Sequence, residues 1–139
     1  MAQDYVGKTA VITGAGNGLG RALAAELVRR NCRIVLIDVD PHTLAVVTGE
    51  FSKLGASITR HCADVSSESA MKQVAADVLE SHGQVHLLIN NAGISISSPF
   101  QRTDSAAFEH VIRVNFFGVV NTCRAFLCIS GLSKGAPTF

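Results

Sequence analysis

The sequence predicts an α/β fold whose parallel sheet is doubly wound, with helices on both faces, and three observations carry that prediction. Short, continuously apolar runs alternate with longer stretches whose apolar residues recur at helical spacing. The first run, Thr9 to Thr13, passes straight into a glycine-rich turn and then a helix. The second ends near Asp38, about 20 residues beyond that turn. Parallel strands need long crossovers, and helical crossovers cover the sheet they connect.

Each element has a local warrant. Thr9 to Thr13 is apolar through its middle and reads as a strand buried on both faces. From Leu19 to Arg30, the residues Leu19, Ala22, Leu23 and Leu27 share a helical face while Arg21, Arg29 and Arg30 lie largely elsewhere, so that face is expected to pack. Arg33 to Val39 is apolar and β-branched, a second covered strand. Asp40 then caps a helix with Pro41 in its first turn, and Leu44, Val47, Phe51 and Leu54 line one face up to a stop at Gly55. Ser57 to Cys62 alternates weakly, as a third strand would. Ser66 and Ser67 can cap the next helix, striped by Met71, Val74, Val78 and Leu79 and ended by Gly83. Val85 to Ile89 is the fourth strand, and a loop follows it. A long helix from about Ser105 to Leu127 is apolar almost all round, which calls for burial on more than one side. Residues 1–127 are therefore expected to form one domain and 128–139 a divergent, loose tail.

A length of 139 residues, 47% of them apolar, is enough for one domain with a real core. The net charge of +1 with no basic block argues against a nucleic-acid surface, and no apolar run reaches the ~20 residues of a membrane span. Met1 to Lys8 contains Asp4 and no apolar stretch, so no secretory signal is expected. Cys32, Cys62, Cys123 and Cys128 form no C-x-x-C pair and no metal-like spacing. They read as reduced thiols of a cytoplasmic or organellar protein that is not secreted, with small molecules as partners.

Thr13 to Gly20 reads Thr-Gly-Ala-Gly-Asn-Gly-Leu-Gly. Glycine leaves no Cβ between the main chain and a ligand, and a helix start offers free N–H groups and a positive dipole end to an anion such as a pyrophosphate. The spacing of Gly14, Gly18 and Gly20 is G-x-x-x-G-x-G, which differs from the G-x-G-x-x-G of the general dinucleotide fingerprint. A tight strand-to-helix turn would also use glycines; the strand before, the helix after and Asp38 beyond favour a phosphate site. Asp38 alternatively begins a turn, Asp64 alternatively caps the following helix, and Asn90 and Asn91 alternatively form a turn. Asn115 sits between Ile112, Phe116 and Val119 on a helix expected to be buried, where its amide would need partners.

Together these residues resemble the classical short-chain dehydrogenase/reductase family. Thr13-Gly14-x-x-x-Gly18-x-Gly20 is similar to its cofactor loop, Asp64-Val65 to its adenine-side pair, Asn90-Asn91-Ala92-Gly93 to its fourth-strand motif, and Val114-Asn115 with Gly118 to its long-helix motif. The resemblance runs from about Lys8 to Leu127 and implies a Rossmann-type sheet, incomplete here, of about four strands plus a long final helix. It implies that Gly14, Asn17, Gly18, Leu19 and Gly20 surround the pyrophosphate and neighbouring ribose. Asp64 and Val65 would approach the adenine, and Asn91, Ala92 and Gly93 would line the cleft. Asp38 stands where the family distinguishes NAD from NADP: a carboxylate there accepts both ribose hydroxyls and repels a 2′-phosphate. The glycine loop holds no Arg or Lys, so NAD is expected over NADP.

The resemblance also implies a reaction, hydride transfer between nicotinamide and an alcohol or ketone, run by a tyrosine, a lysine four residues later and a serine. The single tyrosine, Tyr5, is followed four residues on by Thr9. Asn115 is the one position of the family's catalytic set that carries over; Ser130 and Ser133 lie in the divergent tail and are not assigned. The expectation is the NAD-binding portion of an oxidoreductase without turnover of its own. The alternative is an inactive, truncated form that binds nucleotide or pairs with a full-length relative. An uncovered fourth strand and long helix forfeit roughly 1.5 to 3 kcal/mol for each large apolar side chain left in water. Homo- or hetero-association through the 105–127 helix is therefore expected.

Overall fold

In the computed structural model, which describes residues 5–129, four parallel strands form one sheet in the order β3-β2-β1-β4. The strands are β1 (Thr9–Thr13), β2 (Arg33–Asp38), β3 (Ile58–Cys62) and β4 (Leu87–Ile89). β1 and β2 occupy the middle, and their continuous apolar runs follow from that position, because successive residues face opposite layers. Ala10, Ile12, Ile34 and Leu36 pack to one side, and Val11, Val35 and Ile37 to the other. The first layer holds α1 (Gly18–Arg29) and α2 (Pro41–Ser52), which contribute Ala24, Leu27, Leu44, Val47 and Phe51. The second holds α3 (Glu68–His82) and α5 (Gly118–Ile129), with Met71, Val74, Val78 and Phe126. The sheet is therefore doubly wound, as expected.

The expected helix starts are present. Asp40 Oδ1 accepts the N–H groups of His42 at 2.8 Å and Thr43 at 3.4 Å, and Ser67 Oγ accepts Ala70 N–H at 3.3 Å. The packed face of α1 differs from the expected one. Gly20, Ala24, Leu27 and Val28 are buried, Ala22 is exposed, and Leu19 is 68% exposed. The reason is steric: α1 meets the turn after β1 at Gly20, where a Cβ would fall on the Gly14 carbonyl oxygen, and that contact sets the rotation of the helix.

The long final helix is also modified. A first segment, α4 (Ser105–Ile112), is N-capped by Asp104, whose Oδ1 accepts Ala107 N–H at 2.7 Å. A π turn over Arg113–Phe117 joins it to α5. Burial on more than one side is not what the described residues show. Val114, Ala125 and Phe126 are buried, whereas Phe108, Ile112, Phe116, Phe117, Val119 and Leu127 are exposed. The helix carries the chain to Ile129; the rest of the tail expected over 128–139, with Ser130 and Ser133, lies outside the described residues. Among the described residues no helix is long and apolar enough to cross a membrane.

The winding order fixes where a ligand can enter. From β1 the chain steps outward through β2 to β3, then returns to the opposite side of β1 as β4. The loops after β1 and β4 therefore diverge and leave a crevice at the carboxyl ends of the strands, the usual ligand position in an open α/β sheet.

Candidate functional site

That crevice is a cleft of about 400 Å³. One wall is the β1–α1 turn. Gly14 and Gly18 have φ of +63° and +50°, the left-handed region that favours glycine, and a Cβ on Gly14 would come within 2.8 Å of the Ala92 main chain. Asn17 precedes α1 in an extended conformation and its side chain makes no capping bond, so the amides of the first helical turn have no acceptor from the cap. Asn17 and Leu19 line the cleft beside these amides, which explains the exposure of Leu19. A glycine turn leading into an uncapped helix start fits a nucleotide pyrophosphate.

The floor is a hydrogen-bonded seam between β1 and β4. Thr13 Oγ1 accepts the N–H groups of Asn91 and Ala92, each at 3.0 Å. Asn91 Nδ2 donates to the carbonyls of Thr13 at 3.1 Å and Gly14 at 3.0 Å. Asn91 is thus more than a turn residue: its amide ties the two diverging loops together. Asn91, Ala92 and Gly93 all line the cleft.

The far end is acidic. Asp38 Oδ2 accepts Gly16 N–H at 2.8 Å and Oδ1 accepts Asp40 N–H at 3.1 Å. Asp64 Oδ1 accepts Ser66 N–H at 2.8 Å, so Asp64 does shape the turn before α3 while it also lines the cleft beside Val65. The cap of α3 is Ser67, so Asp64 does not fill the capping role that was its alternative. The histidines whose pKa is pushed down by burial, His61 and His82, lie outside this lining.

Of the expected site residues, Gly14, Asn17, Leu19, Asp38, Asp64, Val65, Asn91, Ala92 and Gly93 come together around the cleft. Gly18, Gly20 and Asn115 do not line it. Gly20 is instead the contact between α1 and the loops after β1 and β4, with a Cβ position 2.6 Å from Asn91 Nδ2. Asn115 is exposed together with Ile112, Phe116 and Val119, contrary to the expected burial. Its partners are nevertheless definite: Oδ1 accepts Ile94 N–H and Nδ2 donates to the Ile94 carbonyl, both at 2.8 Å. This paired clip holds the loop after β4 against the π turn. Val39, Ile94 and His110 also line the cleft and were not singled out from the sequence. For His110 a signal existed, since it lies four residues before Val114 and hence on the same helical face.

Comparison with known proteins agrees with the fold. The short chain dehydrogenase family matches residues 8–135. The Mycobacterium tuberculosis protein SadH, provisionally named an oxidoreductase, is 40% identical over 124 residues, covering 89% of this chain and 45% of SadH. Estradiol 17-beta-dehydrogenase 11 of Macaca fascicularis is 33% identical over 125 residues, covering 90% of this chain and 42% of that protein. The chain thus spans a little under half the length of these curated relatives. Among solved structures, a short chain dehydrogenase/reductase from Burkholderia phymatum in complex with NAD superimposes with a TM-score of 0.90 at 36% identity, over 95% of this chain and 47% of that one. A metagenomic short-chain oxidoreductase in complex with NADP superimposes with a TM-score of 0.86 at 32% identity, over 95% of this chain and 60% of that one. By the family match over residues 8–135 and by its doubly wound sheet, the chain belongs to the short chain dehydrogenase family.

Proposed function

We propose that these residues are the NAD-binding portion of an oxidoreductase acting on an alcohol or ketone. The observation that carries the reading is the convergence of the glycine turn, the uncapped helix start behind it and the Asp38 carboxylate on one cleft. Bound nicotinamide supplies a hydride donor or acceptor. The turn from Gly14 to Gly20 receives the pyrophosphate, Asp38 accepts the adenosine ribose hydroxyls, and Asp64 and Val65 flank the adenine. Asn91, Ala92 and Gly93 extend the wall, and Asn115 keeps the loop at Ile94 in place. NAD is preferred, because a 2′-phosphate would bring like charge against Asp38.

Calorimetric titration of the chain with NAD and NADP tests this, with Asp38→Ala as control. NAD is expected to bind more tightly, and Asp38→Ala to erase the difference; tighter binding of NADP to the unaltered chain refutes the assignment. No turnover of alcohols is expected from these 139 residues, whose single tyrosine is Tyr5. Robust reduction of NAD by the purified chain would show that expectation to be wrong.

A second reading is favoured by a separate observation, the exposure of Phe108, Ile112, Phe116 and Val119 along the 105–127 helix. It is association through that helix, with another copy or a full-length relative. Sedimentation analysis decides, and a stable monomer at high concentration counts against it.

A further inference from the structure

Gly16 differs from its neighbouring glycines. Gly14 and Gly18 adopt positive φ, whereas Gly16 does not, so left-handed backbone is not what calls for glycine there. What excludes a side chain there is space. Gly16 is buried, and a Cβ added to it would overlap Thr43 Oγ1 and come within 3.0 Å of both Thr43 Cβ and Asp38 Oδ2. Thr43 is itself fixed in the first turn of α2, where its N–H donates to Asp40 Oδ1 at 3.4 Å and its hydroxyl to the Asp40 carbonyl at 3.2 Å.

The same small volume holds the acidic end of the cleft. Asp38 Oδ2 takes the Gly16 N–H and Oδ1 takes the Asp40 N–H, so each oxygen has one main-chain donor and keeps acceptor capacity for a ligand. A carboxylate held at both oxygens is preorganised; one released from either donor gains rotameric freedom that binding must remove again. We infer that Gly16 is a positioning residue for cofactor choice: the absence of its side chain lets α2 close through Thr43 and keeps the Gly16 N–H on Asp38, aiming the carboxylate at the adenosine ribose.

This rests on the reading of Asp38 as the group that selects NAD. Pushing Gly16 away from α2 withdraws its N–H from Oδ2. The freed carboxylate accepts ribose hydroxyls less well and turns aside from a 2′-phosphate more easily. Affinity for NAD and rejection of NADP then fall together. A purely structural disturbance of the glycine turn would instead weaken both nucleotides alike, since both share the pyrophosphate.

The experiment is titration of the full chain with NAD and NADP for the unaltered protein, Gly16→Ala, Gly16→Ala with Thr43→Ala, and Asp38→Ala. Loss of one charge-assisted hydrogen bond predicts that Gly16→Ala lowers the ratio of the NADP to the NAD dissociation constant about tenfold. The double variant, which removes the closest overlap, regains part of that ratio. Equal weakening of both nucleotides, or an unchanged ratio, in Gly16→Ala overturns the inference while a collapsed ratio in Asp38→Ala leaves the reading of Asp38 standing. An unchanged ratio in Asp38→Ala overturns both. Amide hydrogen exchange gives a check that does not depend on Gly16→Ala folding. The Gly16 N–H is expected to be protected in the unaltered chain and to lose protection in Asp38→Ala; an amide that exchanges equally fast in both sinks the proposal.

Discussion

Thr13→Val isolates the seam beneath the cleft. The replacement keeps shape and branching in a position that is 1% exposed, so packing is preserved and only the hydroxyl is lost. That hydroxyl accepts two main-chain N–H groups, from Asn91 and Ala92 at 3.0 Å each, while its own donation to the Ile89 carbonyl, at 3.5 Å, is at the limit of hydrogen bonding. Each donor left without an acceptor in this part-buried seam costs about 1 to 2 kcal/mol, which makes a total of about 2 to 4 kcal/mol. Against a domain stability of about 5 to 15 kcal/mol that is a large fraction. In thermal terms it corresponds to a fall of about 8 to 15 °C in Tm for a chain of this size. Urea denaturation followed by far-ultraviolet circular dichroism measures the loss, and Thr13→Ser, which retains the acceptor, serves as the control. NAD affinity should fall in Thr13→Val as well, because Asn91 and Ala92 form part of the cleft wall. A Thr13→Val chain within about 0.5 kcal/mol of the original refutes the reasoning. So does a Thr13→Ser chain destabilised as much as Thr13→Val.

Gly118→Ala places a Cβ 2.7 Å from Val65 Cγ2 and should destabilise by about 1 to 3 kcal/mol through overpacking. Adding Val65→Ala should recover part of the loss, a coupling that a double-mutant cycle in urea reads directly. Gly20→Ala is expected to be worse than Gly118→Ala, since its Cβ meets the Gly14 carbonyl and no side chain can yield there; equal stability losses in the two variants would contradict this. Burial lowers the pKa of His61 and of His82, the latter helped by the nearby Arg33 charge, while Asp77 partly opposes the shift at His61. Below the ordinary value of 6.5 the unfolded chain therefore binds more protons than the folded one, so stability is full above pH 6.5 and is lost as pH falls through the two lowered values. Thermal unfolding between pH 7 and pH 5 should show a decline that flattens in a His61→Phe, His82→Gln double variant.

The parts of the fold legible in the sequence are those in which one local signal decides the outcome. β1 and β2 are legible because the middle of a strand covered on both faces is continuously apolar. Asp40 and Ser67 were readable because a side-chain acceptor at a helix start satisfies donors that nothing else nearby can reach. The cleft residues came from spaced motifs, and most of those motifs do meet at one crevice. The face of α1 is not legible in the sequence because its rotation is set by a tertiary contact, Gly20 against the Gly14 carbonyl, and glycine carries no weight in an apolar periodicity. The clip between Asn115 and Ile94 was invisible for a related reason: its partners are main-chain groups 21 residues away, whose position depends on the path of the loop.

The final helix shows most clearly why apolar counting failed. From Ala107 through Val111, Val114, Gly118, Asn121, Thr122 and Ala125, the buried or half-buried residues follow a regular helical stripe, and most of them are small or polar; Phe126, beside the end of that stripe, is the large buried exception. Gly118 packs against Val65, Asn121 Nδ2 donates to the Val65 carbonyl at 3.1 Å, and Thr122 Oγ1 donates to the Gly118 carbonyl at 2.7 Å. Such close approach requires small side chains, and polar groups buried there require bonds, so the inner face is marked by size and satisfied polarity rather than by hydrophobicity. Phe108, Ile112, Phe116 and Val119 form a second stripe at spacings of three and four residues on the exposed side. The helix therefore carries two different faces: one mostly small and fitted around Val65, the other large, apolar and in water. Folding of the described residues accounts for the first alone, and the second is the physical basis for the proposed association.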